Sequence, residues 1–245
     1  MISKFLFIGH RGTRRDFDEN TITAFNKAIE FGANYIEFDI RKTKDHQLVV
    51  FHDSNLSRTT NGSGLLKDFS YQEIKTLKTL INRDTISSLI DVLDKFVGKV
   101  NFMIDLKEEG LINEMVKIVK EKNLLSNTVI SSKFLNELLE IKREIPKIRI
   151  CYNISKGVGL TVAEFLGMGS DVKKKYNFDM ISLNSNLISQ NFIKQCHSNK
   201  IRALSWNLID EKNPVRKIND LIYQGIDGIL FDDYKNIKKI KMKYS

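Results

Sequence analysis

Apolar runs of four to seven residues recur along the whole chain, and between them apolar residues return every three or four positions. The runs are FLFIG (5–9), YIEFDI (35–40), VNFMIDL (100–106), TVIS (128–131), IRICYNI (148–154), DMISL (179–183), IRALSW (201–206) and DGILF (227–231). Short runs of this kind signal strands, and the three- and four-residue spacing of TITAFNKAIEFG, EGLINEMVKIVKEK, SKFLNELLEIKREI and LISQNFIKQCHSN signals helices. Eight strands alternating with helices in 245 residues is the arithmetic of a (β/α)8 TIM barrel. A doubly wound sheet is the alternative, but no glycine-rich dinucleotide turn follows any strand. A chain of this length can bury its core as one domain over 1–245. One interval is too long for a simple barrel connection: a small insertion, approximately 42–98, separates the second and third barrel strands. Within it, Asp45-His46 reads as the turn of a hairpin that returns through LVVF (48–51).

Two cysteines, Cys151 in a strand-like and Cys196 in a helix-like run, form neither a disulfide framework nor a metal-binding spacing. A reducing compartment is the expectation. MISKFLFIGHRG lacks the length of apolar run and the cleavage site of a signal peptide, and no window reaches the roughly 20 apolar residues of a membrane span. A cytoplasmic protein with no stable membrane insertion is therefore expected. The net charge of +9 comes from lysines spread over the chain without aromatic interleaving, so no nucleic-acid partner is expected. YKNIKKIKMKYS, with Ile237, Ile240 and Met242 near helical spacing, reads as a terminal amphipathic helix with a lysine face. Nothing in the pattern defines an oligomeric state.

In a barrel of this class, sites lie at the C-terminal ends of the strands. Glu37 and Asp39 stand two apart in YIEFDI and share one side of the strand, while Ile36, Phe38 and Ile40 take the other. Two buried carboxylates on one side are costly unless a cation lies between them. Asp105 ends the third strand, with Lys107 two residues later on the same side. The three acids would form an all-oxygen cage, which suits Mg²⁺ or Ca²⁺ better than zinc. The simpler alternative is that they are strand-end acids paired with Arg41 or Lys42. His10 ends the first strand and His52 ends the hairpin's return strand, so both are held on rigid elements at the rim and suit general acid and base work. His46 and His197 read as solvated or packing residues. SKGVGLTVAEFLGMGSD (155–171) has glycines that would permit a mobile loop, and its apolar residues fit a barrel helix better than a lipid anchor.

The string HRG, then ENTITAFNKAIEFGANYIEFDIRKTKD, then LVVFHDSNLSRTTNGSG, closely resembles the glycerophosphodiester phosphodiesterase family. The likeness is dense over the N-terminal third and continues more weakly through ISSLIDVL, IDLK, LSWNL and GIDGILFDD. The resemblance implies metal-dependent hydrolysis of a small-molecule phosphodiester to glycerol 3-phosphate and an alcohol. It implies His10 and His52 as acid and base, Glu37 and Asp39 as metal ligands, and Arg11 and Lys107 as phosphate contacts. It also implies that a glycerol hydroxyl can itself attack phosphorus before water completes the reaction. This chain has Asp105 where the family usually has glutamate, and ISSLIDVL and LFDD lack prolines common at those places. Asn20 and Thr21 read as a helix N-cap, Glu19 as a possible member of the site, and Asp232 as structural. Trp206 either stacks on the substrate alcohol or plugs the barrel mouth. The same plan would serve a lysophospholipase D or a phospholipase C-like phosphodiesterase, and a phosphoester-binding module without catalysis is the non-enzymatic alternative.

Overall fold

The computed structural model describes residues 5–244. Residues 1–4 of the N-terminal segment that argues against a signal peptide lie outside the described residues, as does the last residue of the expected terminal helix. Eight parallel strands close on themselves: β1 (Leu6–Gly9), β2 (Tyr35–Lys42), β4 (Asn101–Leu106), β5 (Thr128–Ser132), β6 (Arg149–Asn153), β7 (Met180–Asn184), β8 (Arg202–Trp206) and β9 (Gly228–Phe231). β1 pairs with both β9 and β2, which closes the barrel. The ninth strand, β3 (Leu48–Val50), runs antiparallel to β2 with Ile40 opposite Val50 and Lys42 opposite Leu48. That pairing carries β2 two residues past the predicted end, and the Thr43 N–H to Gln47 carbonyl bond of 3.0 Å closes the predicted hairpin.

Strand parity divides the side chains between two cores. Leu6, Ile8, Tyr35, Met103, Val129, Cys151, Met180, Leu204 and Leu230 fill the barrel interior. Ile36, Phe38, Ile40, Phe102 and Ile104 point outward into the larger core shared with the helices. The helices expected from periodicity are α1 (Ile22–Glu30), α4 (Ile112–Glu121), α5 (Leu135–Glu144) and α8 (Gln190–Ser198). The terminal one is α10 (Tyr234–Tyr244), which buries Ile237 and Ile240; Met242, which the pattern groups with them, is 73% exposed.

Between β2 and β4 the chain builds a small core of its own from Val49, Phe51, Leu56, Leu66, Ile74 and Ile86, while Leu89, Val92, Leu93 and Phe96 join the larger core. Two 3₁₀ turns, Leu56–Arg58 and Leu66–Asp68, precede α2 (Tyr71–Thr76) and α3 (Leu89–Phe96). Ser70 with Glu73, and Ser88 with Asp91, form reciprocal capping boxes that fix the starts of these two helices. The Asp18 carboxylate accepts from the Ile81 and Asn82 N–H groups, tying the segment to the β1–α1 connection. After β6, α6 (Val162–Gly167) and α7 (Asp171–Tyr176) cover the barrel, and Phe165 is fully buried. The loop leading to α6 is anchored: the Leu160 N–H donates to Tyr152 Oη at 2.7 Å, and a Cβ on Gly159 would collide with that oxygen. The last connection holds α9 (Pro214–Gln224), which opens on Asn213 and Pro214 and ends at Gly225. Among the described residues, no helix is long and apolar enough to cross a membrane.

Candidate active site

Gly9 to Gly12 explain why the first strand ends as it does. The Gly12 N–H donates back to the Gly9 carbonyl, and Gly12 has φ +78. A Cβ there would lie 2.7 Å from the Ala24 backbone carbon, so the turn packs directly on α1 and admits no side chain. The turn brings His10 and Arg11 together over the barrel mouth, both buried.

Glu37, Asp39 and Asp105 come from neighbouring strands, with Asp39 directly beside Asp105 in the ladder. One oxygen or more of each lies within 4.8 Å of the others, and all three residues are buried. Each also has an oxygen fixed by the protein. Glu37 Oε2 accepts from the Arg11 N–H at 2.8 Å. Asp39 Oδ2 accepts from Asn20 Nδ2 at 2.8 Å and lies 3.1 Å from Arg11 Nε. Asp105 Oδ1 accepts from Ser131 Oγ at 2.9 Å and Asn153 Nδ2 at 2.7 Å. Lys107 Nζ bridges the remaining oxygens of the two aspartates, lying 2.9 Å from Asp39 Oδ1 and ion-paired with Asp105 Oδ2. The alternative pairing of these acids does not occur: Arg41 binds Glu108, and Lys42 binds Glu114.

The electrostatics match that geometry. Burial pushes Glu37 well above the usual carboxylate range, and the charges of Asp39 and Asp105 push it further. Burial also opposes ionised Asp39, but Lys107, Arg11 and His52 outweigh it and hold Asp39 well below that range. Lys107 is raised, because Asp105 and Asp39 outweigh its own burial. Three buried carboxylates within reach of one another, one held toward its neutral form and two sharing the single Lys107 ammonium, fit a hard divalent cation. Glu37, Asp39 and Asp105 would hold it.

Both histidines are fixed through Nδ1. His10 Nδ1 lies 2.7 Å from Asp232 Oδ1, which also accepts from Arg14 at 3.0 Å. Burial opposes the charge on Asp232, yet His10 and Arg14 hold it at about 2. His52 Nδ1 lies 2.5 Å from Asp53 Oδ1. Burial, with Arg11 and Lys107 nearby, lowers the His52 imidazole below its ordinary value despite Asp39 and Asp53. In each case Nε2 is left to serve the cavity.

That cavity, about 290 Å³, has six of the eight predicted site residues on its polar wall: His10, Arg11, Glu37, His52, Asp105 and Lys107. Trp206 lines it too and packs against the barrel-interior cluster. Asp39 lies just beneath. Thr21 is the N-cap of α1, accepting from the Ala24 N–H; Asn20 does not share that role but brackets Asp39, since the Asp39 N–H donates to its Oδ1 at 3.2 Å. Glu19 joins the site by accepting from Arg11 Nη1 at 2.7 Å. Sequence reasoning missed Ser131, Asn153 and Ser182, where Ser182 Oγ donates to Asn153 Oδ1 at 2.6 Å. Their signal was inward parity at the C-terminal ends of β5, β6 and β7.

The family model described as "Glycerophosphoryl diester phosphodiesterase family" matches residues 10–236. A glycerophosphodiester phosphodiesterase of Caldanaerobacter subterraneus subsp. tengcongensis is 30% identical, with 98% of this chain and 99% of that protein covered. The fold is also that of a glycerophosphodiester phosphodiesterase from Thermotoga maritima, with a TM-score of 0.78 at 24% identity over 96% of this chain and 98% of that one. A phosphodiesterase of Oleispira antarctica, in complex with the product sn-glycerol-3-phosphate, superposes with a TM-score of 0.82 at 22% identity, covering 97% and 96% of the two chains. With the match running from His10 to Asn236 and so enclosing every residue of the cavity wall, the chain belongs to the glycerophosphoryl diester phosphodiesterase family and is an enzyme of that class.

Proposed function

We propose that this protein hydrolyses water-soluble glycerophosphodiesters to glycerol 3-phosphate and an alcohol, with His10 and His52 as the acid–base pair and one barrel domain, 1–245, carrying the whole activity. The observation behind this reading is that two histidines, each oriented by its own carboxylate, face one cavity that also presents Arg11, Lys107, Glu37 and Asp105, the last two clustered with buried Asp39. A phosphodiester resists hydrolysis because its charge repels a nucleophile and its alkoxide leaves poorly. Arg11 and Lys107 meet the first difficulty by offsetting charge on the phosphoryl oxygens. The histidines meet the second: one accepts the nucleophile's proton through Nε2 and the other delivers a proton to the leaving oxygen, so the alcohol departs neutral. A divalent ion, Mg²⁺ or Ca²⁺, held by Glu37, Asp39 and Asp105 would add Lewis-acid stabilisation of the developing charge. Trp206, at the cavity wall, would pack against the alcohol.

The test is release of glycerol 3-phosphate from glycerophosphoethanolamine with and without EDTA, beside a lysophospholipid substrate. We expect turnover that EDTA abolishes and Mg²⁺ or Ca²⁺ restores, and slower cleavage of the acylated substrate, since Phe165 and its neighbours in the 155–171 segment pack inward. Full activity after exhaustive chelation would sink the metal reading, and faster turnover of the lysophospholipid would move the assignment to a lysophospholipase D.

A further inference from the structure

Arg58 is absent from the cavity wall, yet it joins the two halves of the site from behind. It lies on the 3₁₀ turn Leu56–Arg58, which is anchored by fully packed Leu56 and by the Leu56 N–H bond to the Gly64 carbonyl. Its guanidinium grips Asp53 in a fork: Nε donates to Oδ2 at 2.5 Å and Nη2 to Oδ1 at 3.1 Å. Nη2 also donates to Glu19 Oε1 at 2.6 Å. Asp53 is the residue that holds His52 Nδ1. Glu19, whose side chain is only 9% exposed, is in turn held by Arg11 and Arg14 and so provides a fixed anchor on the β1–α1 side. A chain of charged hydrogen bonds therefore runs from Glu19 through Arg58 and Asp53 to His52.

An exposed ion pair ordinarily contributes little. This one differs in geometry, because a planar fork fixes a carboxylate in orientation as well as position. Asp53 stands just past the hairpin's return strand, and Arg58 is the arginine that holds it there; without the fork it can rotate away and leave His52 Nδ1 unheld. We propose that Arg58 is a positioning residue: it acts on the reaction by locking Asp53, and through it the His52 ring, and one purpose of the segment between β2 and β4 is to deliver it there. The inference rests on the acid–base role given to His52 above.

The test compares steady-state kinetics on glycerophosphoethanolamine for wild type, Arg58→Ala, Arg58→Lys, Asp53→Asn, the double variant Arg58→Ala/Asp53→Asn, and His52→Ala, each with its thermal midpoint. Loss of a group that orients a reacting residue costs about 10–100-fold in activity, so Arg58→Ala should lower kcat by that factor. KM should stay within about threefold, because Glu19 still holds Arg11 and the uniform part of substrate binding is untouched. Arg58→Lys, which keeps the charge and lacks the fork, should fall between the two. The double variant should be no worse than Asp53→Asn by more than about twofold, since both act through one path. Wild-type kcat in Arg58→Ala beside a crippled His52→Ala overturns the positioning role alone, as do losses that multiply in the double variant or that follow a fall in thermal midpoint. Near-full turnover in His52→Ala overturns the acid–base reading on which the inference stands.

Discussion

Asp232 meets His10 across 222 positions of chain and is 2% exposed, whereas Asp53 follows His52 directly and belongs to a half-open rim. The two imidazoles are thus held by the same kind of bond in unlike surroundings, which suits one ring to a sheltered proton and the other to exchange with solvent. On the acid–base roles proposed for them, replacing either by alanine should lower kcat by roughly 10²–10⁴-fold while the fold survives. Near-full kcat in either variant, measured with a thermal midpoint like the wild type's, would remove that residue from the mechanism. The residues on strand ends were legible in the sequence because position and parity within an apolar run decide which side a polar side chain takes: Glu37, Asp39, Asp105 and His10 all follow that rule. The residues that hold them were not. Asp232 reads as structural, and the bond that makes it the anchor of His10 exists only once β9 closes against β1. Asn20 looks like a cap because its type and place fit one, yet its left-handed backbone, φ 60, turns the amide toward Asp39.

At the level of elements, period-two and period-three-to-four patterns located all eight barrel strands, and their ends moved by a residue or two where pairing decided them. β2 runs on to Lys42 because β3 supplies a partner, a contact between segments that no local pattern encodes. α3 and α9 are marked less by period than by punctuation, Ser88 with Asp91 in one and Asn213-Pro214 with Gly225 in the other. The turn from β1 into α1 is the element on which the site depends most. Gly12 at φ +78 has no room for a Cβ, since the atoms in its way include the Ala24 and Phe25 backbones, which cannot swing aside. Gly12→Ala should therefore cost more than the roughly 1 kcal/mol typical of compatible glycine replacements, with the opposite sign to a stabilising one. It should also lower kcat, because His10 and Arg11 ride on the same turn. Denaturant midpoint and turnover measured on one preparation check both, and a Gly12→Ala variant as stable and active as the wild type would show that the turn relaxes freely.

For the molecule as a whole, the same charged network that organises the site should set its response to acid. Burial opposes the charge on Glu19, but bonds from Arg58 and Arg11 hold it at about 2 against an ordinary 4.5. Asp232 is held at about 2 against 3.8 by His10 and Arg14, despite its burial. A carboxylate depressed in the folded state contributes stability that is complete above its unfolded value and is lost as pH falls through the folded one. Folding stability should accordingly decline as pH drops from about 4.5 toward 2. Glu37 acts with the opposite sign in a higher range: raised by burial and by Asp39 and Asp105, it contributes fully below its unfolded value of 4.5, and that contribution is lost as pH climbs through its raised one. A divalent cation, which binds the ionised form, should flatten that upper limb and raise the thermal midpoint there. The measurement is the urea midpoint from about pH 2 to 8 at constant ionic strength, in EDTA and in Mg²⁺, for wild type and Glu19→Gln. The variant should be less stable at neutral pH, having lost the charged partner of Arg11, Arg14 and Arg58, and its acid decline should be shallower because one depressed carboxylate is gone. An acid limb parallel to that of the wild type would mean that Glu19 takes no part in it, and an upper limb indifferent to Mg²⁺ would mean that Glu37 meets no cation.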